Sequence, residues 1–234
     1  MEGRTKTVAV VGDSAGIGAA LRRNLLAAGH RVIGVSRTGV SEPAEGYLSL
    51  VFDAVAAPCD LAAFTESLDG LVYCPGTIAL KPFRGIRREQ WMHDLEVNLL
   101  GAVSALQANE PLLKRSPSAS VVLFSTVAVG TGLSFHASIA AAKGAVEGLT
   151  RSLAAEWAPG IRVNAIAPSL TDTPLAAPLL GTDAKRAAAE ERTPLRTVHR
   201  PEDIASLAAW LLSDAAVGMT GRILPVDAGL GAVR

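Results

Sequence analysis

The stretch VAVVGDSAGIGAALRRNLLAAG, residues 8–29, leaves a chain few ways to fold. Four apolar residues in a row read as a strand covered on both faces. Gly12, Gly16 and Gly18 follow at GxxxGxG spacing, with Ser14 and Ile17 between them, and an amphipathic Ala/Leu-rich run comes next. Strand, glycine turn and helix in that order aim bare backbone N–H groups out of the positive end of a helix. Glycine permits the tight turn and lets a phosphate approach those donors closely. A glycine-rich turn without a ligand has the same spacing. The second strand that follows at once, RVIGVSR from Arg31, favours a pyrophosphate site instead.

Past residue 29 the alternation continues. Strands are predicted over Thr7–Val11, Arg31–Val35, Tyr47–Phe52, Gly70–Tyr73, Ser120–Phe124, Ile161–Ile166 and Arg222–Val226. Helices are predicted over Ile17–Ala28, Leu61–Leu68, Arg87–Leu113, Phe135–Trp157 and Glu202–Leu212. Uniformly apolar strands alternating with helices call for an α/β fold, a doubly wound parallel sheet of about seven strands with helices on both faces. Residues Thr171–Thr197 break the alternation and read as a helical flap over a substrate. Within it, Glu190 and Glu191 with Lys185, Arg186 and Arg192 read as a solvated helical face rather than paired catalytic carboxylates.

The 234 residues suffice for one large core, and no linker divides them, so 1–234 reads as a single domain. A formal net charge of zero offers no footprint for nucleic acid or an anionic membrane. The longest apolar runs, such as Val121–Phe124, are far too short to span a bilayer. The opening MEGRTKTVAVVG reads as a buried strand rather than a signal peptide. Cys59 and Cys74 have neither CxxC spacing nor a histidine cluster, so free thiols in a cytoplasmic protein with no metal are expected.

The end of the second strand bears on which dinucleotide would fit. A carboxylate about 20 residues past the glycines is the usual partner of the NAD ribose. Here Ser36 and Arg37 stand there, and Arg37 can pair with a 2′-phosphate, which favours NADP(H) over NAD(H). Two neighbours argue the other way: Ala15 adds no second cation, and Asp13 in the glycine loop places a negative charge where a phosphate would lie.

Further motifs fall in order along the chain: Asp53 after the third strand, LVYCPG ending in Gly76, EVNLLG with Asn98, VVLFSTVAV with Thr126, HASIAAAKGAV with Lys143, IRVNAIAPSLTDTPL and GRILPVDAGL. Together with the glycine loop, where Val11 replaces the Thr of TGxxxGIG, they resemble the small, single-domain short-chain dehydrogenases/reductases over nearly the whole chain. The resemblance implies a Rossmann-type three-layer domain that binds a nicotinamide dinucleotide and acts on a small molecule. It implies a homo-oligomer, tetramer or dimer, with a mixed assembly with a related chain as an alternative. It assigns Asp53 to the adenine, Gly76 to what remains of an NNAG strand end, and Pro168, Thr171 and Thr173 to the segment over the nicotinamide. Asn98, Thr126 and Lys143 fall on catalytic positions, and Lys143 also on the one that holds the nicotinamide ribose. Tyr73, Cys74 and Pro75 replace the first three residues of NNAG, and Ser169 replaces a usual glycine.

The family's YxxxK motif keeps its lysine, but Ile139 occupies the tyrosine position. Isoleucine cannot protonate a carbonyl oxygen, and three readings follow. His136 lies one turn earlier and is a candidate proton donor on the face shared by Ile139 and Lys143; it also fits a plain helix-start role. Alternatively, the acceptor is an enone, iminium or similar group that leaves the proton to solvent. Or the chain binds cofactor without turnover, as a sensor or a supporting subunit of a mixed tetramer. The expectation taken forward is an NADP(H)-dependent oxidoreductase of a small carbonyl or activated double bond with atypical proton delivery.

Overall fold

A computed structural model describes residues 4–42 and 44–233. Seven strands, β1 (Thr7–Val11), β2 (Arg31–Ser36), β3 (Tyr47–Val51), β4 (Gly70–Tyr73), β5 (Ala119–Phe124), β6 (Ile161–Pro168) and β7 (Ile223–Val226), form one sheet. Their order is β3-β2-β1-β4-β5-β6-β7, and every neighbouring pair is parallel. The helices are α1 (Gly16–Ala27), α2 (Arg88–Leu95), α3 (Gly101–Lys114), α4 (Val127–Thr131), α5 (Ala137–Trp157), α6 (Ala177–Leu180), α7 (Asp183–Glu191) and α8 (Pro201–Leu212).

Side-chain alternation along the central strands builds two cores. Ala9, Val11, Leu71, Leu123 and Val163 face one layer and pack with Leu106 and Leu113 of α3 and Val146 and Ala154 of α5. Val8, Val10, Val72, Val122 and Ile166 face the other and pack with Leu21 of α1 and Ile204 and Leu211 of α8. Both faces of the sheet are therefore dry at its central strands, which is why β1, β2 and β4 carry no polar alternation, while the edge strands β3 and β7 are partly exposed. The flap has a small core of its own, where Ala176, Leu180 and Val198 meet Leu170 and Ala189.

Two helix expectations need correction. No helix forms at Leu61–Leu68; the segment turns instead. Leu61 and Leu68 are buried as their pattern suggests, but helix α3 satisfies the local backbone. Asn109 Oδ1 accepts from the Leu61 N–H, Asn109 Nδ2 donates to the Cys59 carbonyl, and the Leu68 N–H donates to the Leu112 carbonyl. The expected Arg87–Leu113 helix is interrupted: α2 and α3 are joined by a π-helical turn, Glu96–Leu100, with Asn98 at its centre. Such turns insert one extra residue and re-aim a side chain.

Candidate active site

The strand order reverses between β1 and β4, and in open α/β sheets ligands bind beyond the strand ends at that switch. Two cavities lie there. One of about 360 Å3 is lined by Gly12, Ser14, Ser36, Arg37 and Asp53. The other, of about 400 Å3, is lined by Ile17, Thr126, His136, Ile139, Lys143 and Pro168, with Thr171 and Thr173 from the flap. Gly76 and Thr77 line both, so the two form one continuous cleft. All of the expected dinucleotide contacts except Gly16 and Gly18 line it, and those two shape the loop.

Gly12 and Gly16 have φ of 84° and 54°, a left-handed backbone that favours glycine. A Cβ on Gly18 would strike the Gly12 carbonyl. Helix α1 begins without a side-chain cap and without an acid in its first turn, so its leading N–H groups stay available to an anion. Thr173 packs over this loop: a Cβ on Gly16 would lie 3.1 Å from Thr173 Cγ2.

Asp13 corrects an expectation. Its carboxylate does not face a phosphate but is fully buried beneath the loop, where it accepts the Tyr47 hydroxyl and lies 3.8 Å from Arg22 Nε. Burial raises its pKa, while Tyr47 and Arg22 pull the other way. The carboxylate fills space that a side chain at Gly34 would occupy. No carboxylate ends β2, and Arg37 stands exposed at the cavity rim.

At the other end, Lys143 is 8% exposed and its ammonium has no hydrogen-bond partner among the described residues. Burial lowers its pKa to about 8, with the nearby Cys74 acting in the opposite direction. Ile139, one turn earlier on α5, is 5% exposed and presents only hydrocarbon. A Cβ on Gly76 would lie 3.3 Å from Asn98 Oδ1 and 3.7 Å from Lys143 Nζ, so this glycine lets the amide and the ammonium approach one strand end. Asn98 donates from Nδ2 to Thr77 Oγ1 and to the Asp94 carbonyl, and its Oδ1 accepts from the Thr77 N–H. Thr77 Oγ1 in turn donates to the buried Asp94 at 2.6 Å. The direct work of Asn98 is thus to hold the Gly76–Thr77 strand end.

Thr126 lines the cavity and caps α4, its Oγ1 accepting from the Ala128 N–H, so its own hydroxyl hydrogen is not used by the cap. Ser125 also lines the cavity, but its hydroxyl donates to Glu147. His136 is the N-cap of α5, and its Nδ1 donates to the Ser134 carbonyl at 2.7 Å. In the neutral ring that bond leaves Nε2 as an acceptor, so His136 releases a proton only as imidazolium. Thr77 and Asp94 were not legible as site residues; the signal available was the position of Thr77 directly after Gly76. Lys185 and Arg192 are exposed, as a solvated face requires, and they also line the larger cavity. No His/Cys/Asp/Glu cluster able to hold a metal occurs among the described residues, and both cysteines are free.

Residues 11–231 match the family described as enoyl-(acyl carrier protein) reductase. The chain belongs to the short-chain dehydrogenase/reductase family. It is 34% identical over 238 residues to a tropinone reductase homolog of Arabidopsis thaliana, across 94% of this chain and 91% of that protein. The ligand-free aldohexose dehydrogenase of Thermoplasma acidophilum superposes with a TM-score of 0.89 at 29% identity, covering 99% of this chain and 96% of that one. A Beutenbergia cavernae structure described as an NAD(P)-dependent gluconate 5-dehydrogenase with bound NADP superposes with a TM-score of 0.86 at 31% identity, covering 96% of each chain. Short-chain dehydrogenases/reductases bind NAD(P), and the seven-stranded parallel sheet is their Rossmann-type fold.

Proposed function

We propose that this chain is an NADP(H)-dependent oxidoreductase that moves hydride to or from a small carbonyl or activated double bond, with a proton route that does not use the family tyrosine. The observation that carries this reading is the buried Lys143 ammonium, without a partner among the described residues, beside the aliphatic Ile139 in a cleft that runs on to Arg37. An unpaired buried charge is costly, and a ligand hydroxyl at that ammonium would offset the cost.

The residues fit a dinucleotide. Gly12, Ser14, Gly16, Ile17, Gly18 and the uncapped start of α1 would hold the pyrophosphate. Ser36, Arg37 and Asp53 would hold the adenosine end, with Arg37 paired to a 2′-phosphate. Gly76, Pro168, Thr171 and Thr173 would flank the nicotinamide, and Lys143 would hold the ribose hydroxyls. When bound, the cofactor supplies or takes the hydride. Thr126 donates a hydrogen bond to the substrate oxygen. Lys143 adds positive potential where negative charge develops, and Asn98 fixes the strand end beside it. Ile139 keeps that wall apolar. In the reducing direction His136, as imidazolium, gives its proton to the substrate oxygen and regains one from solvent, or an enone-like acceptor takes its proton from solvent without a protein donor. The working form is a cytoplasmic homotetramer or dimer.

Ile139 also favours a second reading, in which the chain binds cofactor without turnover and supports an active relative. A panel of cyclic ketones, aldehydes and enones, assayed with NADPH by its absorbance, tests the first reading. Turnover by the homomer supports it. Cofactor binding with no turnover across the panel overturns it in favour of the second.

A further inference from the structure

The flap helix α7 turns an unusual face to the larger cavity. Lys185, Ala188, Ala189 and Arg192 line it, a spacing of i, i+3, i+4 and i+7 that places all four on one stripe. The alanines leave room, and a cation stands at each end. The helix's other charges lie elsewhere: Asp183, Glu190 and Glu191 do not line the cavity, and Arg186 is paired with Asp172. Lys185 Nζ donates to the Pro178 carbonyl and has two more N–H groups to offer. Arg192 has no hydrogen-bond or ion-pair partner among the described residues.

The rest of the wall sets what those cations face. Ile78, Leu80, Leu133, Leu175 and Leu179 make it largely apolar, and no Asp or Glu among the described residues lines it. With a formal net charge of zero for the whole chain, this local excess of positive charge is not a by-product of a basic protein. From this we infer that the substrate is an anionic apolar molecule, a carboxylic acid whose carboxylate is held by Arg192 and Lys185 while its reacting group lies at Thr126. The inference rests on the oxidoreductase reading for the reacting group alone. A planar guanidinium matches a carboxylate with two parallel hydrogen bonds, and both cations stand exposed at the cavity mouth, where an entering anion meets them. The dinucleotide phosphates have their own donors at the glycine loop, so the flap cations are left for the substrate.

Calorimetric titration with octanoate, and with 1-octanol as the uncharged control of equal chain length, tests this without any chemistry. Octanoate is expected to bind the purified protein roughly tenfold more tightly than 1-octanol. Arg192→Gln should erase that margin and Lys185→Gln should narrow it, both leaving 1-octanol and NADPH binding unchanged. Equal binding of the two probes overturns the inference. So does an Arg192→Gln variant that keeps the margin, or one that loses NADPH affinity instead. A lack of turnover bears on the oxidoreductase reading and leaves this result standing.

Discussion

Lys143 sits where the folded chain gains nothing from its charge. It is buried with no partner of its own among the described residues, and burial lowers its pKa to about 8 from an ordinary 10.5. The unfolded chain therefore binds the extra proton between those values, so this group's contribution to stability is unfavourable below about pH 8 and the penalty is relieved as pH rises toward 10.5. Lys143→Met should raise the stability of the cofactor-free protein at pH 7 by roughly 1–3 kcal/mol, with the gap closing at alkaline pH in denaturant titrations. The same variant should lose most of its dinucleotide affinity. Ile139→Tyr would place a phenol one turn from that ammonium, and a positioned general acid typically contributes 10²–10⁴-fold. Steady-state reduction of a simple ketone should therefore rise by roughly 10²-fold in this variant. His136→Ala should shift the pH profile of turnover if the imidazolium releases the proton; an unchanged profile removes that role. The alignment of residues 136, 139 and 143 was legible because helical spacing alone puts them on one face. The inward turn of Asp13 was not, because a loop residue's sequence carries no sign of which way its side chain points.

At the scale of elements, the glycine loop is braced from below. Tyr47 of β3, Gly34 of β2 and Arg22 of α1 converge on Asp13. Tyr47→Phe removes a donor from a buried carboxylate and should cost roughly 1–3 kcal/mol in thermal or denaturant unfolding. Gly34→Ala drives a methyl group into the same carboxylate and should destabilise by a similar amount. The strands were readable to within a residue or two because both sheet faces are covered and their composition is uniform. The Leu61–Leu68 segment was misread because its buried leucines repeat at helical spacing, while its backbone bonds go to Asn109 and Leu112 on a distant helix. Nothing local records such a partner. The π-helical turn at Asn98 was hidden because the helices on either side each keep their own helical period, and the inserted residue changes only the phase between them.

The whole molecule is a sheet whose central strands are dry on both faces, with a long cleft across its strand ends. The β1/β4 reversal fixes where the cleft lies, and the glycine loop, the Gly76 strand end and the flap divide it into an adenosine half and a reaction half. That division was visible in the order of motifs along the sequence; the basic stripe on the flap emerged only when α7 was folded back over the cavity. The claim that the cleft is an NADP(H) site is tested most directly by calorimetric titration of the purified protein with NADPH and with NADH. NADPH is expected to bind at least roughly tenfold more tightly, with Arg37→Gln abolishing the difference. Binding of neither dinucleotide, or equal binding of both with no effect of Arg37→Gln, would contradict it.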